Sequence, residues 1–257
     1  RDLFAQIARN TLLTWSLVVL AGVLLWVLLF MIFLRAYRRQ QRTNNELVET
    51  QDVTIFALAY QAELRDRQTG KHLERTAAYA RLLGEEVSRL PSFRSYVGRD
   101  YLLDLVKSAP LHDIGKVGIS DSILLKPGKL TAEEWKEMER HCELGARVLR
   151  IAEAKLKFRS FLDIATQLTL YHHEKWDGTG YPHGLAGDAI PISGRIMALA
   201  DNYDALRTAR PYKGAFCHEE CRGIITGLRG THFDPALVDA FVRREQDFRR
   251  ISEELTD

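Results

Sequence analysis

The chain has 257 residues, 46% of them apolar and 27% charged, a balance ordinary for a globular protein and long enough for one large domain or two small ones. Its net charge of +2 conceals an uneven distribution: residues 1–42 carry six Arg and one Asp, so the remainder holds 30 basic and 33 acidic residues. That deficit excludes a general basic footprint for a nucleic acid polymer, and three cysteines without a CxxC pair favour small buried thiols over a bridge or a zinc site.

Residues 1–11 read as a short amphipathic stub. Leu12 to Leu34, LLTWSLVVLAGVLLWVLLFMIFL, contains no charge, and its 23 residues make roughly 35 Å of helix, enough to cross a hydrocarbon core of about 30 Å. A signal peptide would have a shorter apolar run and a small-residue cleavage site, not LRAYRRQQR. The segment is therefore expected to be a transmembrane helix. Arg35, Arg38, Arg39 and Arg42 follow it at once, which by the positive-inside bias puts the rest of the chain in the cytoplasm, at the inner membrane of a bacterium. The chain starts at Arg1, so a fragment of a longer membrane sensor is expected.

Residues 35–62 have no Gly or Pro to stop a helix and are expected to form a helical linker. Val48, Ile55 and Ala62 suggest a heptad too short to claim a coiled coil; the segment reads either as a dimeric signalling helix, which makes the chain a homodimer, or as a solvated connector. Beyond it, residues 71–89, 99–113, 131–156, 160–174, 192–207, 217–228 and 235–256 all show helical periodicity. Thr131-Ala132-Glu133-Glu134 is a capping box. No run alternates convincingly as a strand, so the fold class is all-α: a helical bundle over residues 63–257, with room for a small hairpin, preceded by one transmembrane helix and the linker.

The histidines fall on apolar faces. His112 continues the stripe of Leu105 and Ala109, His172 follows Ile164, Ala165 and Leu168, and His141 lies three residues after Met138. One inward histidine is usually a core residue; several in one bundle need shared partners, because burying imidazoles singly is costly. Asp201 lies in RIMALADNYDAL among apolar residues and needs a cation, although Asp204, one turn on, is an alternative buried acid. His72, His112, Asp113, His141, His172, His173 and Asp201 make seven N/O donors from five segments, more than one ion takes and suited to two divalent ions with a shared carboxylate.

His112-Asp113-Ile114-Gly115-Lys116, followed by HHEKWDGTGYP at 172–182 and RPYK at 210–213, resembles the HD-GYP family of metal-dependent cyclic di-GMP phosphodiesterases, within the HD superfamily of helical phosphohydrolases. The likeness covers about residues 52–245. It implies one metal on His72, His112, Asp113 and Asp201 and a second on the bridging Asp113 with His141, His172 and His173. It also implies a water activated between them, Lys116 on the scissile phosphate, and Arg210 and Lys213 on the substrate's phosphates. Many members have Glu four residues before the first histidine; here Gln68 stands there, so two metals are expected and not three. Iron or manganese is favoured, with zinc or nickel admissible. Glu174, Trp176 and Asp177 are expected either to buttress the histidines or to pack the helix end, and the GYP loop to contact GGDEF-domain proteins. The expected activity is hydrolysis of cyclic di-GMP to pGpG or GMP as a sensor's output. The alternatives are another cyclic dinucleotide or nucleotide as substrate, or a non-catalytic adaptor that binds cyclic di-GMP or a GGDEF partner.

Overall fold

A computed structural model describes residues 2–65, 70–208 and 214–256. It contains helices α1 (Asp2–Arg65), α2 (Gly70–Val87), α3 (Arg99–Ser108), α4 (Asp121–Leu124), α5 (Ala132–Glu139), α6 (His141–Glu153), α7 (Leu162–Tyr171), α8 (Ile192–Arg207), α9 (His218–Gly227) and α10 (Pro235–Glu254), with short 3-10 turns at Ala109–Leu111, Ile114–Gly118 and Gly187–Ala189. Among the described residues there is no strand, only the isolated bridges Asp177 to Ala186 and Arg229 to Phe233. The all-α expectation holds, and the hairpin is absent from these residues.

Two compact units divide at Val53 and Thr54. The first is the exposed apolar part of α1, in which Trp15, Leu24 and Trp26 show more than half of their surface. By length and composition this helix can cross a membrane. An apolar surface on every face of a helix needs a non-aqueous surrounding or a partner.

The second unit starts nine residues earlier than the boundary expected at 63. Ala59 packs with Leu73, Leu111, Leu149 and Ala165, and Ala62 is also buried, so the end of the stretch read as linker belongs to the domain. Small side chains let α1 approach closely here. The larger core lies among α2, α8 and α10, where Tyr79 stacks on Phe248 at 4.7 Å and Tyr203 meets Phe248 edge-on at 5.1 Å. Fully burying an aromatic ring contributes about 1.5–3 kcal/mol, so this cluster holds the three helices in fixed register. The Tyr203 hydroxyl and His218 Nδ1 share a hydrogen bond at 2.8 Å, giving the buried phenol a polar partner.

Caps locate the helix starts. Thr131 Oγ1 accepts from the Glu134 N–H while Glu134 Oε2 accepts from the Thr131 N–H, which is the capping box read in the sequence. The single helix expected from there to Leu156 is two, interrupted at Arg140, whose N–H turns back to Glu137 O at 3.3 Å while its backbone stays helical. That interruption places His141 at the first position of α6, pointing toward Asp113. Asp234 opens α10: its Oδ1 accepts from the Ala236 N–H, and its Oδ2 accepts from the buried Arg195 guanidinium of α8 at 2.9 Å.

Candidate metal centre

Glycines let the elements converge. A Cβ on Gly115, in the 3-10 turn after His112-Asp113, would collide with the backbone of His141 and Gly145 in α6, and a Cβ on Gly145 would collide with Thr169 of α7. Backbone against backbone is the packing that brings Asp113, His141 and His172 within reach of one another. Gly180 serves the loop after α7 in the same way, since a Cβ there would meet His173 O, Glu174 Cα and Lys175 N.

Asp113 is the hub. Its Oδ2 lies 3.4 Å from His112 Nε2, while its Oδ1 faces His141 Nε2 at 3.3 Å and His172 Nε2 at 3.6 Å. On the first side, Asp201 Oδ1 is 3.7 Å from both His72 Nε2 and His112 Nε2. Donors sharing an ion at about 2.0–2.2 Å stand about 3–3.5 Å apart, so these spacings are close to those of ligand sets, and one carboxylate contributes an oxygen to each set. The His173 ring lies 4.1 Å from that of His172 and 5.1 Å from that of His141, and stacks on Tyr181 at 4.7 Å.

Hydrogen bonds orient the imidazoles. His112 Nδ1 donates to Ala109 O at 3.0 Å, His141 Nδ1 to Met138 O at 2.7 Å, His172 Nδ1 to Thr169 O at 2.9 Å, and His72 Nδ1 to Asp204 Oδ2 at 2.8 Å. With Nδ1 carrying the proton, each Nε2 turns a lone pair inward. The buried Nε2 atoms of His72, His112 and His172, and Asp113 Oδ1, find no hydrogen-bond partner among the described residues. His141 Nε2 has one, the Cys142 Sγ at 3.4 Å. Four inward donors without protein partners are what a divalent-ion centre requires and what a merely structural cluster avoids.

Protein charges alone prepare several of these groups. Burial works against ionisation of Asp113, but Lys116 and His112 overcome it and hold the carboxyl well below its usual range. Burial lowers His112, yet Asp113 and Asp201 outweigh it and raise the imidazole to about 9. Burial takes His141 down to about 4, and burial with His172 and His141 keeps His173 well below the ordinary histidine value. Burial also pushes the Cys142 thiol up, away from the thiolate form a soft metal would need.

The structure thus brings His72, His112, Asp113, His141, His172, His173 and Asp201 to one place, with Lys116 Nζ 2.6 Å from Asp113 Oδ2. Gln68, Arg210 and Lys213 lie outside the described residues. The open choice between Asp201 and Asp204 resolves as a division of labour. Asp201 faces the imidazoles, one fifth exposed, whereas Asp204 is buried and takes Arg75 as its cation at 2.6 Å while orienting His72. Glu174 does not bond an imidazole; its carboxylate accepts from the His183 and Leu185 N–H groups at 2.8 and 3.0 Å and fixes the loop. Trp176 carries the Arg195 guanidinium over its ring at 5.5 Å, and Asp177 closes a turn onto Thr179.

Two residues escaped the sequence reading, both in the last turn of α1. Glu63 is buried, with its carboxyl raised by burial and by Asp113, and Arg65 donates to the carbonyls of Val117 at 2.6 Å and Ile119 at 3.0 Å. Glu63 is flanked by Ala62 and Leu64 in an unpunctuated helix; its only sequence signal is a carboxylate one turn after the small residue Ala59.

Residues 61–237 match the family model described as HD domain. A cyclic di-GMP phosphodiesterase of Vibrio cholerae serotype O1 is 52% identical over 217 residues, covering 84% of this chain and 44% of the relative. A 3'3'-cGAMP-specific phosphodiesterase 2 of the same organism is 41% identical over 213 residues, covering 82% of this chain and 38% of the relative. The chain therefore spans less than half the length of either. Among solved structures, a cyclic GMP-AMP specific phosphodiesterase of V. cholerae superposes with a TM-score of 0.57 at 21% identity, covering 80% of this chain and 51% of that one, a likeness of fold.

Proposed function

Because the chain belongs to the HD domain family, we propose that it is a phosphodiesterase of cyclic di-GMP whose centre holds two divalent ions. The observation that carries this reading is Asp113, whose Oδ2 faces His112 while its Oδ1 faces His141 and His172. The names and identities of the relatives support cyclic di-GMP as substrate. His72, His112, Asp113 and Asp201 would hold one ion, and Asp113, His141, His172 and His173 the other. When bound, such a pair supplies Lewis-acid polarisation of a phosphoryl oxygen and lowers the pKa of water.

The chain's own residues do the remainder. Backbone carbonyls and Asp204 hold the imidazole protons on Nδ1, so that each Nε2 stays aimed inward. Lys116 places a buried ammonium beside the centre, where it offsets the charge of Asp113 and is positioned to stabilise charge gathering on a phosphate. The loop fixed by Glu174 carries Tyr181 against His173. Arg210 and Lys213 are proposed to hold the substrate's outer phosphates.

Oxygen and imidazole donors favour iron or manganese. We further propose that Leu12–Leu34 spans the bacterial inner membrane with the domain in the cytoplasm, as a homodimer through α1, and that the GYP loop is a contact for GGDEF proteins. The likeness to a 3'3'-cGAMP-specific enzyme supports a second reading, in which the mixed dinucleotide is the substrate. The full chain in detergent, loaded anaerobically with Fe(II) or Mn(II), is to be given cyclic di-GMP, 3'3'-cGAMP and linear pGpG. Loss of cyclic di-GMP is expected. Faster loss of 3'3'-cGAMP selects the second reading, and binding without turnover under every metal leaves an adaptor.

A further inference from the structure

Glu63 is an ionisable group for which the centre as described so far has no use. It lies one turn from the end of α1's packed segment, is 1% exposed, and its Oε2 has no hydrogen-bond partner among the described residues. Its ligand atom and those of His72 and His112 all lie within 4.8 Å of one another. A carboxylate buried without a hydrogen bond costs several kcal/mol unless a cation meets it. Burial and Asp113 raise the Glu63 carboxyl against the pull of Lys116, His112 and His72, and the Lys116 ammonium lies 2.6 Å from Asp113 Oδ2. Arg65, two residues on, is turned to the carbonyls of Lys116, Val117 and Ile119 and to Asp121.

We propose that Glu63 is a further protein ligand to the ion held by His72, His112, Asp113 and Asp201. The inference rests on the two-ion reading above. With Glu63 that ion would have five protein donors against four for the other, and so fewer positions left for water or substrate. The two ions would then be unequal, the second being the more open to a phosphate oxygen. The extra ligand comes from α1, the helix that also contains the apolar segment, and so the last turn of that helix belongs to the centre.

The test compares full-length wild type with Glu63→Gln in detergent by Mn(II) titration, bound metal per chain and the electron paramagnetic resonance spectrum of the loaded protein. The wild type should bind about two Mn(II). Glu63→Gln should weaken one of the two by tenfold or more and alter the spectrum, while the chelator-treated variant melts at or above the temperature of treated wild type, since a buried charge has gone. A second comparison in a His141→Ala background, where the other ion is already weakened, isolates the same loss. Unchanged affinity and spectrum in both backgrounds overturn the assignment of Glu63. A wild type that binds no Mn(II) or Fe(II) overturns the two-ion reading itself.

Discussion

Lys116 shows how one side chain can serve charge balance and chemistry together. Its ammonium is 2.6 Å from Asp113 Oδ2 and nearly buried, and it helps hold that carboxyl ionised against the cost of burial. If it also stabilises charge on the reacting phosphate, Lys116→Ala should lower kcat by about 10²–10³ with metal content near two per chain, as steady-state kinetics and metal analysis would show. Equal kcat would remove it from the reaction. Asp204 is a different case: it touches His72 and Arg75 and does not face the other imidazoles, so it acts by orienting His72.

Elements decide whether these residues meet. The turn carrying Gly115 lies directly on the backbone of α6, and Gly145 answers it from the other side. Gly115→Ala should therefore push the Asp113 segment off α6, and bound metal should fall from about two per chain to one or none while the helical circular dichroism is kept. Two ions retained would show that the turn relaxes without moving Asp113. At the far end of the bundle, Asp234 caps α10 and pairs with Arg195, both side chains being almost fully buried. Removing one partner leaves the other charge without its match, so Asp234→Ala should cost about 3–5 kcal/mol in chemical denaturation. A loss below about 1 kcal/mol would mean that Asp188, which also accepts from Arg195, suffices.

For the whole molecule, pH acts on stability through buried histidines, and His232, whose carbonyl accepts from the Trp176 N–H at 3.0 Å, is one of them. His232 precedes the buried Phe233, its ring stacked on that residue at 4.4 Å, and burial together with the nearby Lys175 lowers its pKa to about 4. A native value below the unfolded one, about 6.5, means that the unfolded chain binds more protons between those limits. Stability is therefore full above about pH 6.5 and declines as pH falls toward 4. His232→Asn should flatten the fall in melting temperature between pH 7 and pH 5 in calorimetry; an unchanged slope would assign that dependence to other groups. The two compact units also differ in the surroundings they need, since the first exposes apolar side chains along its length and the second hides its own in a core around Tyr79, Tyr203 and Phe248.

Helix positions, the uncharged run at Leu12–Leu34, the capping box at Thr131 and the grouping of His72, His112, Asp113, His141, His172, His173 and Asp201 could all be read from the chain. They rest on periodicity, composition or motif, which are properties of neighbours in sequence. The interruption at Arg140 could not be read, because the helical pattern runs through it. Nor could the burial of Glu63, the grip of Arg65 on the turn after Lys116, or the choice of Asp204 to orient His72 while Asp201 faces the centre. His72 and Asp204 stand 132 positions apart, and Arg65 and Val117 52 apart. Which carboxylate is buried, and which oxygen faces which imidazole, depends on how the packed helices cross, and that is set by the summed fit of their side chains and not by any one segment.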